Sequence, residues 1–141
     1  MREIKFAGYE NGHRVYGTNG EITDPTGKQF RYSLSAFFDL VSKGLIINVV
    51  EFTGLKDKND VELYEEDTIK LPSYPNKGFD LYIIEKYGGA FHISDFKSIF
   101  EKYEEYEGDY SYHHGELVAD NRFELEVVGN IYENPELLET T

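Results

Sequence analysis

The sequence predicts a β-rich α+β fold, and three observations lead there. Short runs at both ends alternate polar and apolar residues, Glu3-Ile4-Lys5-Phe6 near the start and Phe123-Glu124-Leu125-Glu126-Val127 near the finish. That is the period-2 pattern of half-buried strands. Between them, Val50 to Lys70 sends a β-branched and aromatic run into a polar turn and brings a second extended run out of it. Two stretches show helical spacing, near residues 34–43 and 95–104. Helices are therefore few, and 141 residues amount to a single domain over 1–141.

After the opening strand, Glu10-Asn11-Gly12-His13 reads as a turn and Arg14-Val15-Tyr16-Gly17 as a short returning strand. Thr18 to Gln29 is rich in Gly, Asn, Thr, Asp and Pro, a surface loop, after which Phe30-Arg31-Tyr32 pairs briefly. Ser33 or Ser35 caps a helix that runs to Lys43 and stops at Gly44, with Leu34, Phe37, Phe38, Leu40 and Val41 broadly on one face. Leu45 to Phe52 reads as a long, nearly continuous apolar strand covered on both sides, one of them by that helix. Asn59 and Asp60 form the tip of the central hairpin, and both residue types tolerate positive φ. Thr68 and Ile69 resume a strand after Glu65-Glu66-Asp67.

Leu71 to Gly78 is expected as a loop, because Pro72 and Pro75 exclude a central strand. Phe79 to Tyr87 and Ala90 to Ile93 form a hairpin about Gly88-Gly89. Ser94-Asp95 opens the second helix, with Phe96, Ile99, Phe100 and Tyr103 at i, i+3, i+4 and i+7. Glu107 to Asn121, which holds Tyr110, Tyr112, His113 and His114, is expected as a loop. The last strand runs from Phe123 through Ile131, and Asn134-Pro135 starts one closing helical turn.

Composition narrows the functional classes. The chain has no cysteine, so disulfides and thiolate metal sites are excluded. Met1 is followed by a charged strand, and the longest apolar run, Leu45 to Val50, is interrupted by Asn48. It falls far short of the roughly 20 residues that span a bilayer. A soluble, cytoplasmic protein with no membrane partner is expected. Net charge is −13, and from Tyr103 to Thr141 there are 11 acids against a single Arg122. Such a surface repels phosphate backbones, which disfavours conventional nucleic-acid binding and favours a positively charged partner. The 12 Tyr and 10 Phe serve cores and interfaces alike.

Three constellations contain residue types that can carry chemistry. Asp57 and Asn59 occupy the first two ligand positions of a calcium loop. Counting on from Asp57, however, Val61, Glu62 and Thr68 stand where a ligand, a glycine and a bidentate Glu are required, so the stretch reads as a hairpin turn. His113-His114, with Asp109, Glu116 and Asp120 nearby, are metal-ligand types. Adjacent histidines point to opposite faces of a strand, though in a loop they could share an ion. His13 and His92 stand alone. With 27 acids, carboxylate pairs of the glycosidase kind are unavoidable and carry no information. No phosphate-cradling Gly-rich loop and no Ser flanked by elbow glycines is present. No catalytic, cofactor-binding or metal-binding residue is assigned, and enzymatic activity is unsupported.

Phe52-Thr53-Gly54-Leu55-Lys56-Asp57-Lys58-Asn59, followed by Glu62-Leu63-Tyr64-Glu65-Glu66-Asp67, closely resembles the central motif of the YopX family of phage and prophage proteins. Met1-Arg2-Glu3-Ile4-Lys5-Phe6 is similar to the family's opening strand. Val127-Val128-Gly129-Asn130-Ile131-Tyr132-Glu133-Asn134-Pro135-Glu136-Leu137-Leu138 is similar to its closing signature. The resemblance implies a small SH3-like β-barrel with one or two packed helices, a phage or prophage origin, and no assigned activity or cofactor. Three departures stand out. The family has Asn-Gly where this chain has Asn59-Asp60, and a basic residue and a Trp where it has Ala7-Gly8-Tyr9. It also has Glu-Gly-Asp at Glu65-Glu66-Asp67, so a positive-φ position there must be tolerated by Glu66 or relaxed. Leu71 to Arg122 carries no part of the resemblance. The expected role is a non-catalytic accessory protein that binds a host or phage protein, or a second copy of itself. The alternative is an acidic decoy that mimics nucleic acid and occupies a basic groove on a host enzyme.

Overall fold

Asn11 and Gly12 take φ 53° and 79°, two consecutive left-handed residues. That is the turn that matches the twist of paired strands, and it joins β1 (Lys5–Glu10) to β2 (His13–Thr18) in antiparallel register from Lys5↔Thr18 to Glu10↔His13. The computed structural model describes residues 3–72, 78–95 and 115–140. The chain divides into two compact units, Met1–Gly54 and Leu55–Thr141.

In the first unit β3 (Arg31–Ser33) lies parallel to β2, and β4 (Ile47–Lys56) antiparallel to β1 with a bulge between Ala7 and Tyr9. The loop that allows the parallel return is organised by Asp24. Its Oδ1 accepts from the Thr26 hydroxyl at 2.7 Å and the Thr26 amide at 3.0 Å, and its Oδ2 from the Gln29 amide at 2.8 Å. Helix α1 (Leu34–Ser42) begins at Ser33, whose hydroxyl accepts from the Ala36 amide at 3.3 Å. It ends at Gly44, φ 73°, where the amides of Gly44 and Leu45 return to Val41 and Leu40. Phe37 is the fully buried centre of the face that α1 lays on the sheet, with Val15 and Ile46 beside it. Gly17 lets that ring approach: a Cβ there would stand 2.4 Å from Phe37 Cγ.

The apolar run 45–52 is not one strand covered on both sides, as its composition suggests. Leu45 and Ile46 belong to the helix stop, where Ile46 turns into the core and Leu45 stays 54 % exposed. The strand starts at Ile47, itself 56 % exposed, and alternates inward at Val50 and Phe52.

β4 leaves the first unit at Gly54. Its last residues lead through the turn at 57–61 into β5 (Glu62–Tyr64). The second extended run expected here breaks in two. Glu66 takes φ 68°, and β6 (Asp67–Pro72) departs into another sheet of order β8-β7-β6-β9. In that sheet β7 (Phe79–Tyr87) and β8 (Ala90–Ser94) form the expected hairpin over Gly88 and Gly89, both at positive φ. β9 (Glu126–Asn130) pairs with β6, which makes β6 an interior strand despite Pro72. Pro72 is tolerated because it is the strand's final residue, paired with the first residue of β7. One face buries Leu63, Ile69, Leu71, Tyr82, Ile84, Ile93, Val118 and Leu125 completely.

The last strand starts later than its alternation predicts. Residues 122–124 form a turn, Phe123 is 76 % exposed, and Leu125 alone of that segment is buried. The loop expected to end at Asn121 includes the short helix α2 (Val118–Asn121), whose Val118 enters the core. Pro135–Thr140 forms a 3-10 turn, as Asn134-Pro135 predicts. The helix expected at 95–104 lies outside the described residues beyond Asp95, and so do Tyr110, Tyr112, His113 and His114. The coarse expectation of a β-rich α+β protein holds. Among the described residues the strands form two sheets and no closed barrel is found.

Candidate functional site

The central motif is a joint of the fold. Asp57 is buried, and its Oδ1 accepts from the amides of Asn59 at 2.8 Å and Val61 at 2.9 Å, which shapes the turn. Its Oδ2 accepts from the amide of Val127, 70 residues on, at 2.9 Å. Beside it the Lys58 amide donates to the Leu125 carbonyl at 3.2 Å. The outer edge of β9 is thus covered by the motif rather than left open for another chain. Both carboxylate oxygens hold backbone N–H groups, which is turn chemistry and not calcium ligation.

A second link ties the same two sequence blocks together. The Tyr132 hydroxyl donates to Glu66, the residue whose positive φ breaks β5 from β6. Asp67 accepts from the Tyr64 amide at 2.8 Å and pairs with Asn130 across the sheet. Asn130 in turn accepts the amides of Tyr132 and Glu133 at 3.0 and 2.8 Å. Gly129 is required here, because a Cβ would meet Asn134 Oδ1 at 2.4 Å. Asp60 and Glu66, which stand where the resemblance leads one to expect glycine, both take the left-handed conformation at φ 65° and 68°. The strain of a side chain there is therefore tolerated rather than relaxed.

A hollow of about 360 Å³ opens on the first unit, lined by Glu10, Asn11, His13, Arg14, Val15 and Phe30. The β1–β2 register places Glu10, His13 and Val15 on one face of the hairpin and Tyr9, Arg14 and Tyr16 on the other. On the first face Glu10 accepts from the Tyr32 hydroxyl at 2.8 Å. That carboxylate, chiefly through this bond, raises the Tyr32 phenol above its ordinary value. Phe30 is 62 % exposed and meets Tyr32 edge to face at 5.0 Å between centroids. On the opposite face the Arg14 guanidinium donates to the Tyr9 hydroxyl at 3.2 Å and lies 5.9 and 5.7 Å from the Tyr9 and Tyr16 ring centres. Sequence reading did not single out this group of residues. Phe30 reaches the hairpin end only through the parallel return of β3, and Glu10-Asn11-Gly12-His13 by itself signals a turn.

Charge is segregated between the units. The first unit contains six acids and six bases, the second 21 acids and eight bases, so the whole net charge of −13 belongs to the second. The second also exposes large rings. Phe79, 65 % exposed, has Lys70 Nζ at 4.3 Å from its centroid, and Phe123 has Arg122 Cζ at 4.4 Å. β6 ends at Pro72 opposite Phe79, which places that ring at one end of the sheet. At the other end Tyr87 stacks on His92, 4.0 Å apart and 11° from parallel, while His92 Nδ1 lies 3.2 Å from the Gly115 carbonyl. Among the described residues no three of His, Asp and Glu converge on a common point. Glu116 and Asp120 are described, whereas Asp109, His113 and His114 are not. Among the described residues no helix is long and apolar enough to cross a membrane.

A family model described as "YopX protein" matches residues 9–139. No curated protein matches the chain. Among solved structures, the crystal structure of protein EF1440 from Enterococcus faecalis is similar at 21 % identity and a TM-score of 0.40, covering 98 % of this chain and 79 % of that one.

Proposed function

The chain belongs to the YopX protein family, and from that premise we propose that it is a non-catalytic phage or prophage accessory protein that binds a basic protein partner in the cytoplasm of the bacterial host. The observation that carries this reading is the segregation of charge: a unit with 21 acids and eight bases also exposes Phe79, Tyr87 and Phe123. Negative potential attracts and orients a basic partner, while exposed rings bury much area at little rotamer cost once it arrives. The SH3-like barrel, built from the N-terminal strands, the central hairpin and the C-terminal strand, belongs to the same proposal, supported by the prevalence of short strands in the chain. The same charge favours a second reading, an acidic decoy that competes with nucleic acid for a basic groove.

Affinity capture from the host with the full chain, followed by binding to the captured protein at several salt concentrations, tests both. In the first reading Phe79→Ala and Phe123→Ala weaken binding, and the salt dependence is partial. In the second, binding falls steeply with salt, is competed by oligonucleotide, and ignores the two rings. Capture of no basic protein overturns both. Direct binding of single- or double-stranded oligonucleotides is expected to be absent at about 150 mM salt, because stacking works alongside a positively charged groove and this chain has 14 bases against 27 acids.

A further inference from the structure

We propose that the hollow on the first unit receives the cationic end of an arginine or lysine side chain from the partner protein, an inference that rests on the basic-partner reading above. Two groups on one face of the β1–β2 hairpin suit such an end. Glu10 supplies a carboxylate that the Tyr32 hydroxyl holds in place through Oε1 at 2.8 Å, leaving Oε2 to accept a second donor. Phe30, which lines the hollow, supplies an exposed ring set 69° from the plane of Tyr32 with 5.0 Å between centroids. A carboxylate beside an aromatic face is the pairing that recognises guanidinium and ammonium groups. Val15, buried beneath them, gives the methylene stem an apolar floor.

Arg14 is the feature that argues for an anion instead, and strand geometry decides against it. Its guanidinium is drawn to the opposite face, against the Tyr9 and Tyr16 rings and the Tyr9 hydroxyl. The charge on the face of the hollow is then that of Glu10. The volume of about 360 Å³ is ample for one long side chain. The hollow therefore adds selection for one residue of the partner, where the acidic second unit attracts without selecting.

The test uses the isotopically labelled full chain titrated with N-acetyl-arginine amide and N-acetyl-lysine amide, read by amide and side-chain NMR shifts. Saturable shifts at Glu10, His13, Val15 and Phe30 are expected. Glu10→Gln, which keeps the shape and the bond to Tyr32, should weaken binding roughly tenfold, as loss of a charge-assisted hydrogen bond does. Phe30→Ala should weaken it by a smaller factor. The inference is overturned by no shift at tens of millimolar, by shifts scattered over the acids of the second unit, or by tighter binding of N-acetyl-glutamate amide. If Glu10→Gln captures the basic partner with undiminished affinity, this hollow is not its receptor, while the interaction function itself stands.

Discussion

Replacing Asp57 with Ala should unfasten the joint between the central turn and the last strand. Asp57 is 6 % exposed and accepts three backbone N–H groups at 2.8–2.9 Å, from Asn59, Val61 and Val127. A hydrogen bond to a charged acceptor contributes about 1.5–3 kcal/mol net. The Asn59 and Val61 amides lie at a hairpin tip and regain water when the carboxylate is removed, whereas the Val127 amide sits on the covered edge of β9. The expected loss is therefore below three full bonds, about 3–5 kcal/mol. For a chain of this size that corresponds to a fall in Tm of roughly 10–15 °C. Asp57→Asn keeps one acceptor and presents an N–H to an N–H at the other position, so it should lose about half as much. Urea and thermal unfolding give the magnitude, and hydrogen exchange at Val127 gives the location. Unchanged stability together with unchanged protection of the Val127 amide would refute the assignment of the motif as a structural joint.

Phe52→Ala, which empties a buried ring position in β4, should cost about 3–5 kcal/mol in urea unfolding. Gly17→Ala should cost at least about 1–3 kcal/mol, because its Cβ would stand 2.4 Å from Phe37 Cγ; the additional variant Phe37→Leu should recover part of the loss, and independent, additive losses would contradict the close approach. Asp24 is lowered from 3.8 to about 2, first through its bond to the Thr26 hydroxyl. A depressed carboxyl pKa stabilises above the unfolded value, and that contribution is lost as pH falls from about 4 towards 2. A carbon-detected carboxyl titration should show it, Thr26→Val should return Asp24 towards its ordinary value, and an unaltered midpoint in that variant would count against the bond. Tyr32 should titrate above an ordinary tyrosine, and Glu10→Ala should bring it back down.

What the sequence by itself determined is local. Asn11-Gly12 and Gly88-Gly89 had to be tight turns, because consecutive residues at positive φ admit few side chains. Ser33 and Gly44 bracketed α1, whereas the alternation of Glu3-Ile4-Lys5-Phe6 did not set which residues face inward, since Lys5 is 2 % exposed and Ile4 45 %. The family motif was likewise readable as folding chemistry, since its residues are turn formers and strand formers in sequence. Tertiary structure decided the rest. The apolar run 45–52 was divided between a helix stop and a strand because Ile46 had a place beside Phe37 and Leu45 had none. The run after the central turn broke at Glu66 because Asp67 onward pairs with β7 and β9, partners that arrive later in the chain. Phe123 fits the alternation of a strand yet stays outside it, since 122–124 turn before β9 reaches its partner. The hollow at Glu10 and Phe30 and the bond from Asp57 to Val127 share that cause. Dihedral preference is a property of neighbouring residues, but which distant groups meet depends on pairing and burial across the whole chain, and no local pattern encodes it.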